Sequence, residues 1–525
     1  MRINQRLPKW LYLLVLCAGA ATVLAFAPFK IYPLAWVAPA ILFYALSKAT
    51  TKRHYFYLSW IYGIGLFGAG ASWPFYSLYY FAHAPLVVAI AGTATFVIIV
   101  AMLSLGLFGL IASLFRTKPL FSRLLLFYPV AWVFAEWTRS WLLTGFPWLY
   151  LGNSQIDTFF ASVAPIVGVL GVSLISVLIS GALLSFFFGN SVRRVSIEQD
   201  HLSQSVSDRA VVEESFSASI RLWSALIILL LVAASFVLQK IDWTGKRGKP
   251  IKVSVLQSNI SQEDKLNPKK LSSALTLYKD MTQKSQRSDL IVWPETSLFD
   301  VFGNHMENVI LPLQESLAGS NKAILIGGFF INKNGGVENS VLALSADNRE
   351  LYSKRHLVPF GEYIPLIEYI NWLGDWIPRS NIDSGVNDGM LSVAGETAQM
   401  TICYEDAFGA EVIQSLPQST LLINVTHDGW FTGSLELAQH MQIARMRSLE
   451  TGRYMVRATT TGPSGIINEK GEVLATAPTY TKQIITHNVQ PFKGATPYVR
   501  WGNWLIVSIL SLILTLGLVF RRNNA

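Results

Sequence analysis

A bundle of membrane helices joined to an α/β sandwich domain is the architecture this sequence predicts, and three observations predict it. Mean hydropathy is +0.38 and only 14% of the 525 residues are charged, which excludes an ordinary soluble enzyme. The apolar residues gather into eight stretches, seven in the first half of the chain and one at its end. Between the seventh and eighth lies a polar segment in which short β-branched runs alternate with stretches of helical spacing.

The apolar stretches run from Trp10 to Ala27, Ile31 to Leu46, Tyr57 to Phe81, Leu86 to Phe115, Leu124 to Leu143, Phe160 to Phe188, Leu222 to Leu238 and Trp501 to Phe520. Each is near or above the roughly 20 residues that cross a bilayer as a helix. With the N-terminus inside, fifteen lysines and arginines flank the cytoplasmic ends, against Lys30, Arg139 and Lys240 outside. That bias predicts cytoplasmic termini and a periplasmic polar segment. The net charge of +9 then reflects topology, and no basic tract with interleaved aromatics calls for nucleic acid as a partner. Pro28-Phe29-Lys30 after the first stretch lacks a small-residue cleavage site, so that stretch reads as a retained helix. Cys17, preceded by Leu14, Val15 and Leu16, reads as a buried thiol within it.

Three parts follow: a transmembrane bundle over 1–248, a catalytic domain over 249–498, and a final helix with a cytoplasmic tail over 499–525. Within the domain, strands are predicted from Ile251 to Leu256, Leu290 to Trp293, Ala323 to Ile326, Val341 to Leu344, Gln399 to Ile402 and Leu421 to Val425. Helices are predicted from Leu271 to Ser285, Val309 to Leu317 and Ala438 to Glu450, a pattern that suits an α/β sandwich. Gly303 to Glu307 and Pro365 to Ser380 read as loop insertions, and Gly189 to Ile220 as a polar, mobile cytoplasmic segment.

The chemistry sits at strand ends. Glu295 closes Ile291-Val292-Trp293-Pro294-Glu295, Lys354 opens the run from Lys354 through His356 to Tyr363, and Cys403 follows Met400-Thr401-Ile402. A carboxylate can take a thiol proton, a thiolate can attack a carbonyl, and an ammonium can face the tetrahedral oxyanion. A lone cysteine is ordinarily a small buried hydrophobe; the matching settings of Glu295 and Lys354 favour a nucleophile. Topology argues against a disulfide between Cys17 and Cys403. The lysine's charge should lower the thiol pKa and later stabilise the oxyanion.

At these segments the chain resembles the nitrilase superfamily, whose members carry a Glu-Lys-Cys triad on an α-β-β-α sandwich. The resemblance continues through Asn424 to Phe431, Gln439-His440, Arg445 to Arg453 and Thr461-Gly462. Joined to membrane helices, the whole is similar to a membrane-embedded branch, the bacterial apolipoprotein N-acyltransferases. The resemblance implies Glu295 as general base, Lys354 as oxyanion stabiliser and Cys403 as nucleophile, with Glu362, Tyr404 and Glu405 in support. It implies a phospholipid donor giving up its sn-1 chain, preferentially phosphatidylethanolamine, and a diacylglyceryl apolipoprotein acceptor. The expected path is ping-pong through a cysteine thioester at the bilayer, with no metal or dissociable cofactor. The competing reading is a membrane-tethered amidase or nitrile hydrolase that uses the same triad with water.

Candidate lipid-access residues are Trp148, in Leu143 to Trp148 at the outer end of the fifth helix, and Trp372, Trp376 and Trp430 in aromatic loops. Packing of a helix stop or of an insertion would explain the same rings. Glu136 and Arg139 are spaced to pair on the fifth helix. The resemblance leads to the expectation of a tryptophan for lipid contact shortly after Gln257 to Ile260; this chain departs from it with Lys265-Leu266.

Overall fold

The computed structural model describes residues 7–188, 206–365 and 382–522, so Trp372, Trp376 and the first part of the segment Gly189 to Ile220, over 189–205, lie outside the described residues. The rest of that segment is not the mobile stretch expected but part of the helix Val206–Leu238. The chain divides into two compact units: Met1–Ser72 with Ala91–Ile241 and Asn503–Ala525, and Trp73–Ile90 with Asp242–Gly502.

The first unit is helical. Leu86–Ser113, which enters it from the second unit, Leu120–Arg139, Phe159–Phe187 and Ser219–Leu238 are long and apolar enough to cross a membrane. Lys9–Ala25, Leu34–Ser47 and Trp504–Phe520 are shorter apolar helices, and Lys52–Gly70 has 19 residues. Every predicted stretch therefore holds a helix, while four among the described residues reach a span by length and composition. The third stretch departs most: its helix stops at Gly70, and a new short helix starts at Pro74, whose missing N–H suits a first turn. Glycine lets the helices Lys9–Thr22 and Lys52–Gly70 approach closely, since a Cβ at Gly19 would meet the Tyr62 carbonyl at 2.0 Å and one at Gly65 the Leu16 carbonyl at 2.1 Å. Cys17 lies on an exposed face of its helix and is not buried as expected, because Val15 and Ala18 take the inward positions.

Glu136 and Arg139 are both buried, and the bonds of each reach the chain that follows. Glu136 Oε1 accepts from Trp132 Nε1 and Leu151 N, each at 3.0 Å. Arg139 Nη1 donates to the carbonyls of Phe146 and Trp148. These bonds hold a loop whose backbone is left-handed at Leu143, Thr144, Gly145 and Leu149.

The second unit carries fourteen strands among the described residues. They are β1 (Gly245–Lys246), β2 (Ile251–Gln257), β3 (Leu290–Val292), β4 (Ala323–Ile331), β5 (Val337–Leu344), β6 (Arg349–Ser353), β7 (Met390–Val393), β8 (Glu396–Ile402), β9 (Leu421–Thr426), β10 (Met455–Thr459), β11 (Gly465–Ile467), β12 (Val473–Thr476), β13 (Gln483–Val489) and β14 (Phe492–Lys493). Two six-stranded sheets form, in the orders β13-β2-β3-β4-β5-β6 and β12-β11-β10-β9-β8-β7, with β1 and β14 as a separate pair. Strand alternation assigns the faces. Val253, Val255, Val292, Leu325 and Val341 meet Met400, Ile402, Ile423, Val425 and Val456 in the core between the sheets. On the outer face of the first sheet, Ile324 and Ile326 pack with Tyr278 and Met281 of the helix Leu271–Lys284. On the outer face of the second, Leu422 and Met455 pack with Ala444 of the helix Glu436–Thr451. The result is an α-β-β-α sandwich.

Candidate active site

Glu295, Lys354 and Cys403 each stand just beyond a strand, β3, β6 and β8, the first two from one sheet and the third from the other. Glu295 is 6% exposed and Lys354 1%. Glu295 Oε1 accepts from Asn339 Nδ2 at 2.7 Å, and Oε2 from the His427 amide at 2.7 Å. Lys354 Nζ lies 2.7 Å from Glu362 Oε2. Glu362 also accepts from Val358 N at 2.8 Å and from Asn339 Nδ2 at 3.2 Å. Asn339 on β5 thus bridges both carboxylates, and its carbonyl accepts from Lys354 N at 2.8 Å. Nothing in its sequence setting, Val337-Glu338-Asn339, marks it beyond a polar residue in a strand.

Cys403 begins a tight turn, Cys403–Ala407, with φ +53° in the left-handed region that a non-glycine residue adopts at a cost. Such a turn persists only when its surroundings fix it, and Glu405 does so. The Glu405 side chain is fully buried: Oε1 accepts from the amides of Arg355 at 2.7 Å and His356 at 3.1 Å, and Oε2 from the amide of Ile402 at 2.7 Å and the Tyr352 hydroxyl at 2.8 Å. One carboxylate therefore ties the chain after Lys354 to the chain before Cys403. Tyr404 packs edge-on to Phe408 and His356, with ring centroids 5.0 and 5.9 Å apart.

Charge around the thiol differs from the simple expectation. Burial pushes the Cys403 thiol well above its usual range; Glu295 adds to this, while Lys354 pulls the other way without prevailing. The resting group is the neutral thiol. Burial also raises Glu295 above the ordinary carboxylate range, against the opposing charge of Lys354. For Lys354, burial disfavours the charge, but Glu362, Cys403 and Glu295 outweigh it and keep the ammonium protonated.

Two further buried groups approach Glu295. Lys265 Nζ donates to the Glu295 carbonyl at 3.0 Å and to Thr296 Oγ1 at 2.8 Å, supporting a residue whose own φ is +45°. It is Leu266, 61% exposed, that faces outward from this segment. Gly327 on β4 lets the Glu295 turn lie against it, since a Cβ there would meet Pro294 O at 2.3 Å. His427 bonds to Gln262 through Nε2, and burial together with Lys265 holds it neutral.

Of the predicted access residues, Trp430 is 38% exposed and sits two residues beyond Asp428. Its ring lies 5.6 Å from Phe81, its carbonyl accepts from Ser77 Oγ at 3.1 Å, and neighbouring Phe431 meets Trp73 at 4.6 Å. The segment Trp73–Phe81, which hydropathy alone assigns to the third membrane helix, thus lays an aromatic arm on the turn after β9. Trp148 is instead buried in the first unit, at 1% exposure.

A buried carboxylate, a buried lysine and a cysteine gathered at strand ends of an α-β-β-α sandwich define a catalytic domain of the carbon–nitrogen hydrolase type. The Carbon-nitrogen hydrolase family model matches residues 252–496, and that of the Apolipoprotein N-acyltransferase N-terminal domain matches residues 18–182. The apolipoprotein N-acyltransferase of Nitrosomonas europaea is 37% identical over 509 residues, covering 95% of each chain. That of Methylococcus capsulatus is 35% identical over 517 residues, covering 98% of this chain and 97% of its own. Among solved structures, Saccharomyces cerevisiae Nit3 of the nitrilase superfamily aligns at 15% identity and TM-score 0.35, covering 46% of this chain and 91% of its own. The chain belongs to the apolipoprotein N-acyltransferase family.

Proposed function

We propose that this protein is a bacterial membrane acyltransferase that N-acylates lipoproteins through a thioester on Cys403. The observation that carries the reading is the buried constellation of Glu295 and Lys354 acting on the Cys403 thiol, in a chain that also bears long apolar helices.

In the first half-reaction Glu295 takes the thiol proton as Sγ attacks the ester carbonyl carbon at the sn-1 position of a phospholipid such as phosphatidylethanolamine. The Lys354 ammonium, positioned by Glu362, faces the oxyanion. Collapse breaks the acyl C–O bond, Glu295 returns the proton to the departing oxygen, and lysophospholipid leaves. In the second half-reaction the α-amine of a diacylglyceryl-cysteine attacks the thioester, Glu295 takes an amine proton, and the thiolate leaves and is reprotonated. Glu405 and Tyr404 position the nucleophile turn. The aromatic arm with Trp430 and Phe431 suits a contact with acyl chains, and the proposal extends to Trp372 and Trp376 on the character of their side chains.

The charge bias of the flanks supports cytoplasmic termini, a periplasmic catalytic domain over 249–498, and bundle helices over 1–248 and 499–525. Acceptor use separates transfer from hydrolysis. With labelled phospholipid alone the acyl-enzyme should outlast a catalytic cycle. A diacylglyceryl-cysteine peptide with a free N-terminus should discharge it, and the N-acetylated peptide should not. Rapid release of free fatty acid, unaffected by either peptide, would favour a tethered amidase or nitrile hydrolase.

A further inference from the structure

Behind the nucleophile, on the outer face of the second sheet, ionisable side chains gather beneath the helix Glu436–Thr451. Asn424 on β9 and Arg457 on β10 are register partners and share that face. Arg457 Nη1 donates to Asn424 Oδ1 at 2.6 Å and lies 3.3 Å from Asp406 Oδ2, while Nη2 lies 3.3 Å from Asp428 Oδ2. His440 Nε2 is 2.8 Å from Asp406 Oδ1. Its Nδ1 is 3.1 Å from Glu436 Oε1 and 3.5 Å from Asp428 Oδ1. None of these five ionisable groups is more than 2% exposed.

Two links run from this cluster to the thiol-bearing turn. Asp406 belongs to the turn Cys403–Ala407 itself, and Asn424 Nδ2 donates to the Cys403 carbonyl at 3.2 Å. Burying so many charges is costly, and apolar side chains would fill the same space at lower cost. We propose that His440 is a positioning residue for the nucleophile: held between Asp406, Asp428 and Glu436, it fixes the turn that carries Cys403 and balances the negative charge behind the thiol. The inference rests on Cys403 being the nucleophile.

The electrostatics agree with the geometry. Burial and Arg457 disfavour a charged His440, but Asp406 and Asp428 hold the imidazolium well above its usual range. Burial and Asp428 raise Glu436 to about 7. Asp428 and Glu436 both push the thiol upward. The groups facing Glu436 are His440 on its own helix, Asp428 after β9 and Arg457 on β10, while Asp406 on the Cys403 turn meets the other ring nitrogen of His440. Ligand atoms of Asp428, Glu436 and His440 fall within 4.8 Å of one another, a spacing that also suits a cation. The Arg457 guanidinium beside Asp428 and the imidazolium already supply the positive charge there.

The main readout is the thiol itself, which is independent of lipid turnover. In full-length protein carrying Cys17→Ala and purified in detergent, the iodoacetamide alkylation rate of Cys403 is followed against pH. Glu436→Gln removes a negative charge and should move the profile to lower pH; His440→Gln removes a positive one and should move it to higher pH. Moving the profile by one pH unit changes the rate at a fixed pH by about tenfold, as long as that pH lies below the thiol's titration. His440→Gln should also lower kcat with little change in KM for lipid. Profiles that do not move, or that move in the same direction, would overturn the proposal. Should His440→Gln not fold, Glu436→Gln decides alone, and an unmoved or raised profile refutes it. Wild-type activity lost to a chelator and restored by zinc would replace the charge balance with a metal site.

Discussion

Glu405→Gln is a demanding perturbation because it preserves shape and removes only one oxygen's capacity to accept. The carboxylate receives four hydrogen bonds, three of them from the backbone amides of Arg355, His356 and Ile402 and one from the Tyr352 hydroxyl. The best placement of the glutamine keeps its oxygen on Arg355 and His356 and turns its amide nitrogen toward Ile402 and Tyr352. The Tyr352 hydroxyl can rotate and accept, but the Ile402 N–H then faces another donor. An unpaired buried amide costs about 1–3 kcal/mol, and the surviving bonds weaken from charge-assisted to neutral strength, by about 1 kcal/mol each. The sum is roughly 3–5 kcal/mol, which corresponds to a fall in Tm on the order of 10 °C for a domain of this size. Thermal unfolding in one fixed detergent measures it, with alkylation of Cys403 as a local readout. An unchanged Tm with unchanged acyl transfer would refute the claim that Glu405 clamps the nucleophile turn.

Burial lowers Lys265 to about 7 from the ordinary 10.5, against the attraction of Glu295. Between those values the unfolded chain binds more protons at this position, so the lysine's contribution to stability rises with pH from about 7 upward. Wild-type Tm should therefore climb relative to Lys265→Met between about pH 7 and pH 9, and a relative fall would contradict the assignment. A reporter fused near Asn334 should read periplasmic and one near Ser203 cytoplasmic, since the basic flanks set orientation. The same reading from both would overturn the topology.

The core strands were legible because β-branched runs with both faces buried leave a clear signature, as in β3 and β9. The strands that escape such a reading show why others do not. β12 is largely exposed, so its pattern gives no strong apolar signal. β10 is wholly buried yet carries Arg457 at its centre, and a charge in a five-residue run masks a strand unless its partners are known. The three candidate residues could be picked out as residue types at strand ends. The groups around them could not, because Asn339, Lys265 and His440 make contacts 44, 30 and 34 residues away in the chain. The thiol's protonation state was equally hidden, since it depends on burial and on Glu295 together with Lys354. The arm Trp73–Phe81 passes as the end of a helix because no charged residue interrupts the run from Tyr57 to Phe81.

The central claim is that Cys403 carries the acyl group between donor and acceptor. Intact-protein mass spectrometry after incubation with phosphatidylethanolamine, without acceptor, tests it most directly. The account predicts a mass increase of one acyl chain, mapped to Cys403, removed by hydroxylamine and absent in Cys403→Ala. Acyl transfer by Cys403→Ala, or an adduct on any other residue, would contradict it.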